Sequence, residues 1–272
     1  MKNKKGKKIV KNYIYNTSYQ ILAIILPIIT TPYISRVLGA ERIGAYSYSY
    51  SIAYYFVMFI MLGLNNYGNR TIASVREDKG KLSKTFWEIY SVQIINGIVV
   101  TIIYILFACL FFNNLMTWIL LIYIISAIID INWFFFGLEE FKLTVVRNSI
   151  IKVLTTISIF IFVKESKDIY LYALIMTLGM LLSQCMLWPF VKRYVYYTKV
   201  TFKDLKTHIK PNLILFIPVV AISLYKIMDK IMLGSISSIE HVGYYESTEK
   251  IVQVPISLIN SLGTVMLPQM SN

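Results

Sequence analysis

Eight charge-poor apolar runs, at about 13–35, 43–64, 88–112, 115–137, 143–163, 169–191, 211–233 and 251–270, constrain this chain more than any other feature. Each is close to the roughly 20 apolar residues that a helix needs to cross a hydrocarbon core about 30 Å thick. A membrane strand is about half as long and alternates in polarity, whereas these runs are continuously apolar. With 57% hydrophobic and 15% charged residues and a mean hydropathy of +0.61, the chain cannot build a water-soluble surface. The expectation is an all-α, polytopic membrane protein of about eight transmembrane helices. The lysine-rich start followed by the first run has the look of a signal peptide, but the run is too long and no small-residue cleavage site follows it, so it reads as a retained helix. Cys109 and Cys185 both lie inside apolar runs, which gives neither a disulfide framework nor metal-ligand spacing.

The net charge of +13 raises nucleic acid as a partner, and the placement of the charges argues against it. With a cytoplasmic N-terminus, segments 1–12, 65–87, 138–147 and 192–210 hold 19 Lys and Arg, against five in the opposing connections, Arg36, Arg42, Lys164, Lys167 and Lys250. That asymmetry follows the positive-inside rule and predicts that the N-terminus lies in the cytoplasm, while the Lys- and Ile-rich composition suits a bacterial plasma membrane. Its basic loops set topology and contact anionic membrane lipids, and no nucleic-acid partner is expected. The longest opposing connection, about 17 residues from Gly234 to Lys250, leaves no room for an extracytoplasmic domain.

The chain also resembles itself. RVLGAERIGAYSYSYSI (36–52) and IMLGSISSIEHVGYYESTEKI (231–251) share a Leu-Gly, then an Ile/Val-Gly, then a Tyr two residues later. Leu38-Gly39 aligns with Leu233-Gly234, and Gly44 with Gly243. Each copy follows an apolar run containing a proline, Pro27 in one and Pro218 in the other. An offset of six helices is even, so the second copy enters the membrane in the same sense as the first, as in transporters with two parallel units around a central site. The boundary expected is 1–200 for a six-helix unit and 201–272 for the first two helices of a second, so that the chain reads as a fragment or as needing a partner for the rest.

ILPIITTPYISRVLGAERIGAYSYSYSIAYYF (25–56), LGLNNYGNRTIA (62–73) and the DKIMLG, VGYYE and KI segments of 229–251 together resemble the oligosaccharide flippase family of capsule and O-antigen synthesis. That family belongs to the multidrug/oligosaccharidyl-lipid/polysaccharide transporter superfamily. The resemblance covers essentially the whole chain. It implies a MATE-like first six-helix lobe plus the first two helices of a second, and movement of undecaprenyl-diphosphate-linked oligosaccharide repeat units from the cytoplasmic to the outer leaflet by alternating access. It implies no cofactor, and leaves room for a coupling ion, Na+ or H+, and for polymerase and glycosyltransferase partners.

Carrying a diphosphate and sugars through a low-dielectric slab calls for cationic donors, hydroxyl and amide groups, and aromatic faces. Arg36, four residues after Pro32, either faces phosphate near the outer mouth or snorkels to the interface. Pro27 and Pro32 predict a kink, whether for transport or as tolerated membrane prolines. Lys226, Asp229 and Lys230 stand at i, i+3 and i+4, so one helical face carries either a diphosphate site or a structural ion pair. Asn16, Thr17 and Gln20 form a polar stripe that suits sugar or interhelical hydrogen bonds. Tyr46, Tyr50 and Tyr54 share a face, for sugar stacking or as an interfacial aromatic belt, with Tyr50 the residue expected to meet substrate. Asp130 and Lys152 are lone intramembrane ionisables, suited either to a coupling-ion site or, as snorkelling groups or a structural pair with each other, to none. The site expected from sequence is therefore Arg36, Lys226, Asp229, Lys230, Asn16, Gln20 and Tyr50.

Other function classes fit less well. A membrane polysaccharide polymerase or glycosyltransferase would bring an Asp-x-Asp, a Gly-rich phosphate loop or a large outer loop. The chain has none of these, and His208 and His241 read as loop residues without carboxylate partners. A multidrug exporter of the same superfamily would show a hydrophobic rather than cationic cavity, and a non-transporting fragment would insert without moving anything. The expectation is a transporter, not an enzyme.

Overall fold

A computed structural model describes the backbone of residues 2–270 and the side chains of 22, 24–253 and 255–256. Helices account for the architecture, and no strand occurs among the described residues. Lipid offers backbone N–H and C=O groups no partner, so each run closes its own hydrogen bonds along a helix. The order is α1 (Lys2–Met61), α2 (Leu64–Val75), α3 (Lys79–Phe111), α4 (Leu115–Ile128), α5 (Asn132–Gly137), α6 (Phe141–Phe162), α7 (Ile169–Cys185), α8 (Trp188–Val191), α9 (Phe202–Lys226), α10 (Met228–Ile236) and α11 (Ile239–Met270).

Among the described residues six apolar stretches are long enough to cross a membrane, and the first, Ile24–Val75, runs for 52 residues. At 1.5 Å per residue that is about 78 Å, more than twice a bilayer core. The surplus is resolved at Gly39, whose φ of 76° and ψ of 166° lie outside the helical region and divide α1 into two crossings, 2–38 and 40–61. Within the first crossing, Pro27 and Pro32 are accommodated inside the helix. The eighth apolar run lies in α11, where most side chains fall outside the described ones. The chain is thus a multi-pass, all-helical membrane protein, as the sequence predicts.

Successive connections collect at alternate ends of the bundle. At the end carrying Gly39, Ser166 Oγ donates to Leu38 O at 3.1 Å and Tyr33 OH to Val163 O at 2.7 Å. At the other end, Trp87 Nε1 donates to Tyr196 O at 3.0 Å, Lys84 lies 3.4 Å from Asp204, and Arg76 pairs with Glu139. This second end carries the basic segments 65–87, 138–147 and 192–210 and is called the basic end below.

Apolar side chains of α3 (Ile95, Ile98, Ile102 and Leu106) are exposed where lipid would lie, and its polar groups face inward. They answer backbone breaks in neighbouring helices. Gln93 Nε2 donates to Ala127 O and Asp130 O, both at 2.8 Å, where α4 gives way to α5, while its Oε1 accepts from Trp133 Nε1 at 3.0 Å. Asn96 likewise donates to Phe59 O and Ile60 O as α1 ends. Arg147 is 4% exposed and donates to Ser183 O, Gln184, Asn132 and Asn148, and Asp130 accepts from Asn132 within the same network. The charge facing Asp130 is therefore Arg147.

Two local expectations change. The connection expected from Gly234 to Lys250 is almost wholly helical, with only 237–238 between α10 and α11. A Ser-Ile-Glu-His start and the register of Val242 and Gly243 against α1 allow the helix to begin early. His208 and His241 likewise lie in helices, and His208 has a carboxylate partner.

Candidate functional site

The two copies of the repeated motif pack against each other. A Cβ placed on Gly44 would overlap the carbonyl of Ile239 and press on the backbone N of Gly243 at 2.9 Å. One placed on Gly243 would overlap the carbonyl of Ala40. Ala40 and Ile239 each stand four residues before their own glycine, so the contacts are reciprocal. Only a residue without a side chain lets the two backbones approach this closely. Ser35 and Ser247 flank the crossing with their hydroxyls 3.4 Å apart, and Tyr48 OH lies 3.2 Å from Ser235 Oγ.

One turn beyond the crossing lies a cluster of charges. Glu246 Oε2 accepts from Ser47 Oγ at 2.7 Å and from Lys230 Nζ at 2.6 Å. Its other oxygen is 3.1 Å from Lys250, and Lys230 also contacts Glu249 at 2.7 Å. Lys230 is only 8% exposed, so both lysines are neutralised within the cluster, each by a matched carboxylate. Asp229 is held separately, accepting from Tyr245 OH and from the Lys230 amide at 3.0 Å.

Beside these charges runs a line of four tyrosines. Tyr172 meets Tyr46 edge-on at 5.0 Å, Tyr46 stacks on Tyr50 at 5.8 Å, and Tyr50 stacks on Tyr123 at 4.9 Å with an interplanar angle of 18°. Tyr46 and Tyr50 come from α1, Tyr172 from α7 and Tyr123 from α4. The aromatic line therefore spans the first helices of the chain, whereas the charges belong to α10 and α11. A diphosphate could exchange with the carboxylates at Lys230 and Lys250, and the apolar face of a sugar ring could lie on Tyr50, the partly exposed ring of the line, which the buried Tyr46, Tyr123 and Tyr172 hold in place.

The pattern of the polysaccharide biosynthesis protein family matches residues 9–272. The chain belongs to that family. Among members of the polysaccharide biosynthesis family, it is 27% identical over 270 residues to a protein of Escherichia coli (strain K12) that bears the name of a proposed O-antigen transporter. It is 23% identical over 256 residues to a protein of the same name from Shigella dysenteriae. The alignments cover 96% and 91% of this chain but 65% and 63% of the relatives, so the chain spans just under two thirds of their lengths. The fold is similar to that of the MATE multidrug transporter DinF-BH, solved in complex with R6G, with a TM-score of 0.60 at 15% identity, covering 96% of this chain and 64% of that one.

Of the residues expected from sequence, Asp229, Lys230 and Tyr50 come together around the cluster. Lys226 does not share their face, because the helix breaks at Ile227 (φ −124°, ψ −31°) and leaves it exposed at the end of α9. Arg36 is exposed on α1 beside the crossing, with no ion pair among the described residues. The side chains of Asn16, Thr17 and Gln20 lie outside the described residues. Sequence reasoning passed over Ser47, Glu246, Glu249, Lys250, Tyr123 and Tyr172. Glu246, Glu249 and Lys250 repeat the i, i+3, i+4 spacing that singled out Lys226, Asp229 and Lys230, and assigning 234–250 to a loop hid that signal.

Proposed function

We propose that this protein moves undecaprenyl-diphosphate-linked oligosaccharide repeat units from the cytoplasmic to the outer leaflet of the plasma membrane by alternating access, acting as a transporter and not as an enzyme. The two moving units are 1–200 and the unit that begins at 201. The observation that carries the reading is the compensated cluster of Lys230, Glu246, Glu249 and Lys250 beside the tyrosine line, at the crossing of the repeated motifs. Family membership and the names of its relatives support the same reading.

In this mechanism Glu246 and Glu249 hold the lysines while the site is empty. The incoming diphosphate takes their place, so a site at membrane depth never holds uncompensated cations. Exposed lysines alone would cost about 2.5–3.5 kcal/mol each at the bilayer centre. Tyr50, the partly exposed ring of the line, offers its face to the sugars, and Arg36 meets the phosphates near the Gly39 end. Displacing Glu246 and Glu249 gives a coupling ion, H+ or Na+, two carboxylates on which to act, and polymerase and glycosyltransferase partners would consume and supply the substrate.

The test is binding of undecaprenyl diphosphate to the purified chain in nanodiscs, paired with movement of a fluorescent lipid-linked oligosaccharide in proteoliposomes. Binding that weakens at least tenfold in Lys230→Ala, with Tyr50→Ala losing affinity only for the sugar-bearing lipid, is the expected result. Equal binding by wild type and Lys230→Ala overturns the assignment of the site.

A further inference from the structure

At the basic end, α9 meets α2 and α3 through a seam that is polar and tightly packed. His208, 7% exposed, stands between two partners, with Nδ1 2.6 Å from Tyr67 OH and Nε2 2.9 Å from Glu88 Oε2. Glu88 is equally buried. Lys84 Nζ lies 3.5 Å from Glu88 and 3.4 Å from Asp204, tying α3 to α9 a second time. One turn beyond His208, Asn212 is 1% exposed, and neither its amide nitrogen nor its amide oxygen has a partner among the described residues. An added Cβ at Gly63 would press on the backbone of Asn212 and Leu215, so little space separates the elements.

A seam meant to stay closed in a membrane would hold small apolar residues or fully satisfied polar groups. This one holds a buried ionisable triad and an unsatisfied amide, which suits a surface that closes and opens. The neutral triad is satisfied when Tyr67 donates to Nδ1 and Nε2–H donates to Glu88. A proton arriving at Nδ1 breaks neither link. The Tyr67 hydroxyl turns to accept from Nδ1–H, and the Nε2 contact becomes an ion pair. Lys84 is exposed and Asp204 partly exposed at the edge of the seam, so the change falls on the buried His208–Glu88 contact itself, which protonation turns from a neutral-donor hydrogen bond into a charge-assisted pair.

A cleft of about 370 Å3, lined by Arg70, Thr71, Ser74, Pro211 and Ile214, has Tyr67 in its wall. Arg70 is exposed on its rim, while Lys206 and Lys210 lie on a different face of α9, with Ile209 and Leu213.

We propose that Tyr67, His208 and Glu88 form a proton-binding site whose occupancy sets how tightly α9 packs against α2 and α3. Acid closes the seam and base loosens it. The site lies away from the Lys230 cluster and does not depend on the transport reading.

The experiment places spin labels at Ser74→Cys on α2 and Thr207→Cys on α9 in the full chain, with Cys109→Ser and Cys185→Ser, and measures their separation in nanodiscs from about pH 8 to about pH 5.5, the interval in which imidazole changes charge. A shift to a shorter, narrower distance distribution in acid is expected. It is lost in His208→Gln and Glu88→Gln and kept in His241→Gln. In the His241→Gln chain, where His208 is the remaining imidazole, its ring-nitrogen NMR signals are expected to titrate over the same interval as the distance. A distribution unchanged by pH, a shift that survives His208→Gln, or a shift outside the interval in which the ring titrates overturns the proposal.

Discussion

Gly39, Gly44 and Gly243 are glycine for two different reasons, and substitution separates them. Gly39 sits at φ +76° and ψ 166°, a region open to little but glycine, with no atom within 4 Å of an added Cβ, so Gly39→Ala meets only backbone strain, about 1–3 kcal/mol. Gly44→Ala and Gly243→Ala each drive a methyl group into a carbonyl of the opposing helix at the crossing and force it apart. Thermal unfolding in detergent is expected to rank Gly39→Ala as the mildest, and the Gly44→Ala/Gly243→Ala pair as little worse than either single change, because either one opens the same contact. Full additivity would mean that the two glycines do not share a crossing. The repeated motif made both glycines visible in the sequence. Their meeting face to face depends on how helices six apart pack, which no local pattern contains. At Lys230, replacement by Met leaves Glu246 and Glu249 short of a cation, toward the lower end of the about 3–5 kcal/mol lost when a buried pair is broken, since Lys250 still neutralises one oxygen. The double change Lys230→Met/Glu246→Gln is expected to recover part of that loss in the same unfolding assay.

At the scale of the element, helix ends carry the information that apolar runs lack. Asp78 caps α3, its carboxylate accepting from the Gly80 amide at 2.9 Å and the Lys81 amide at 3.1 Å. Those bonds, that to Lys81 above all, hold its carboxyl below the usual aspartate value. A lowered carboxylate contributes stability above its unfolded value of about 3.9 and loses it as pH falls through the folded value. Hydrogen exchange of residues 79–83 should therefore quicken below about pH 4 in the native chain. Asp78→Asn keeps the cap and removes the pH dependence, whereas Asp78→Ala frays the turn at every pH. The runs at 88–112, 115–137, 143–163 and 169–191 were readable as α3, α4 to α5, α6 and α7 because length and apolarity alone decide whether a segment can cross lipid. The break at Gly39 was legible too, falling between the runs 13–35 and 43–64, whereas those at Ile227 and 129–131 lie inside single apolar runs and were not, as Gln93 holds the carbonyls between α4 and α5 from another helix. The same limit applied to the site. Asp229, Lys230 and Tyr50 stood out as charge and aromatic residues within runs, while Glu246 and Lys250 were hidden by a helix that begins before its apolar run.

Across the whole molecule, the basic end collects the segments 65–87, 138–147 and 192–210, and the Gly39 end holds Arg36, Arg42, Lys164 and Lys167. If lysine and arginine density sets orientation, the basic end stays in the cytoplasm and the glycine crossing lies toward the outer leaflet. Alkaline phosphatase fused after Lys167, which folds into an active enzyme only outside the cytoplasm, should then be active, and the same enzyme fused after Lys199 inactive. The consequence reaches the mechanism. In that orientation the proposed proton-binding seam of His208 faces the cytoplasm, and the Lys230 cluster stands toward the outer leaflet, where the proposed diphosphate substrate would meet it late in its passage. The reverse pattern of fusion activity would put the cluster and the tyrosines at the entrance. Arg36 and Lys230 would then select the substrate on entry, and Lys230→Ala would be expected to weaken loading from the cytoplasmic leaflet while leaving release unchanged.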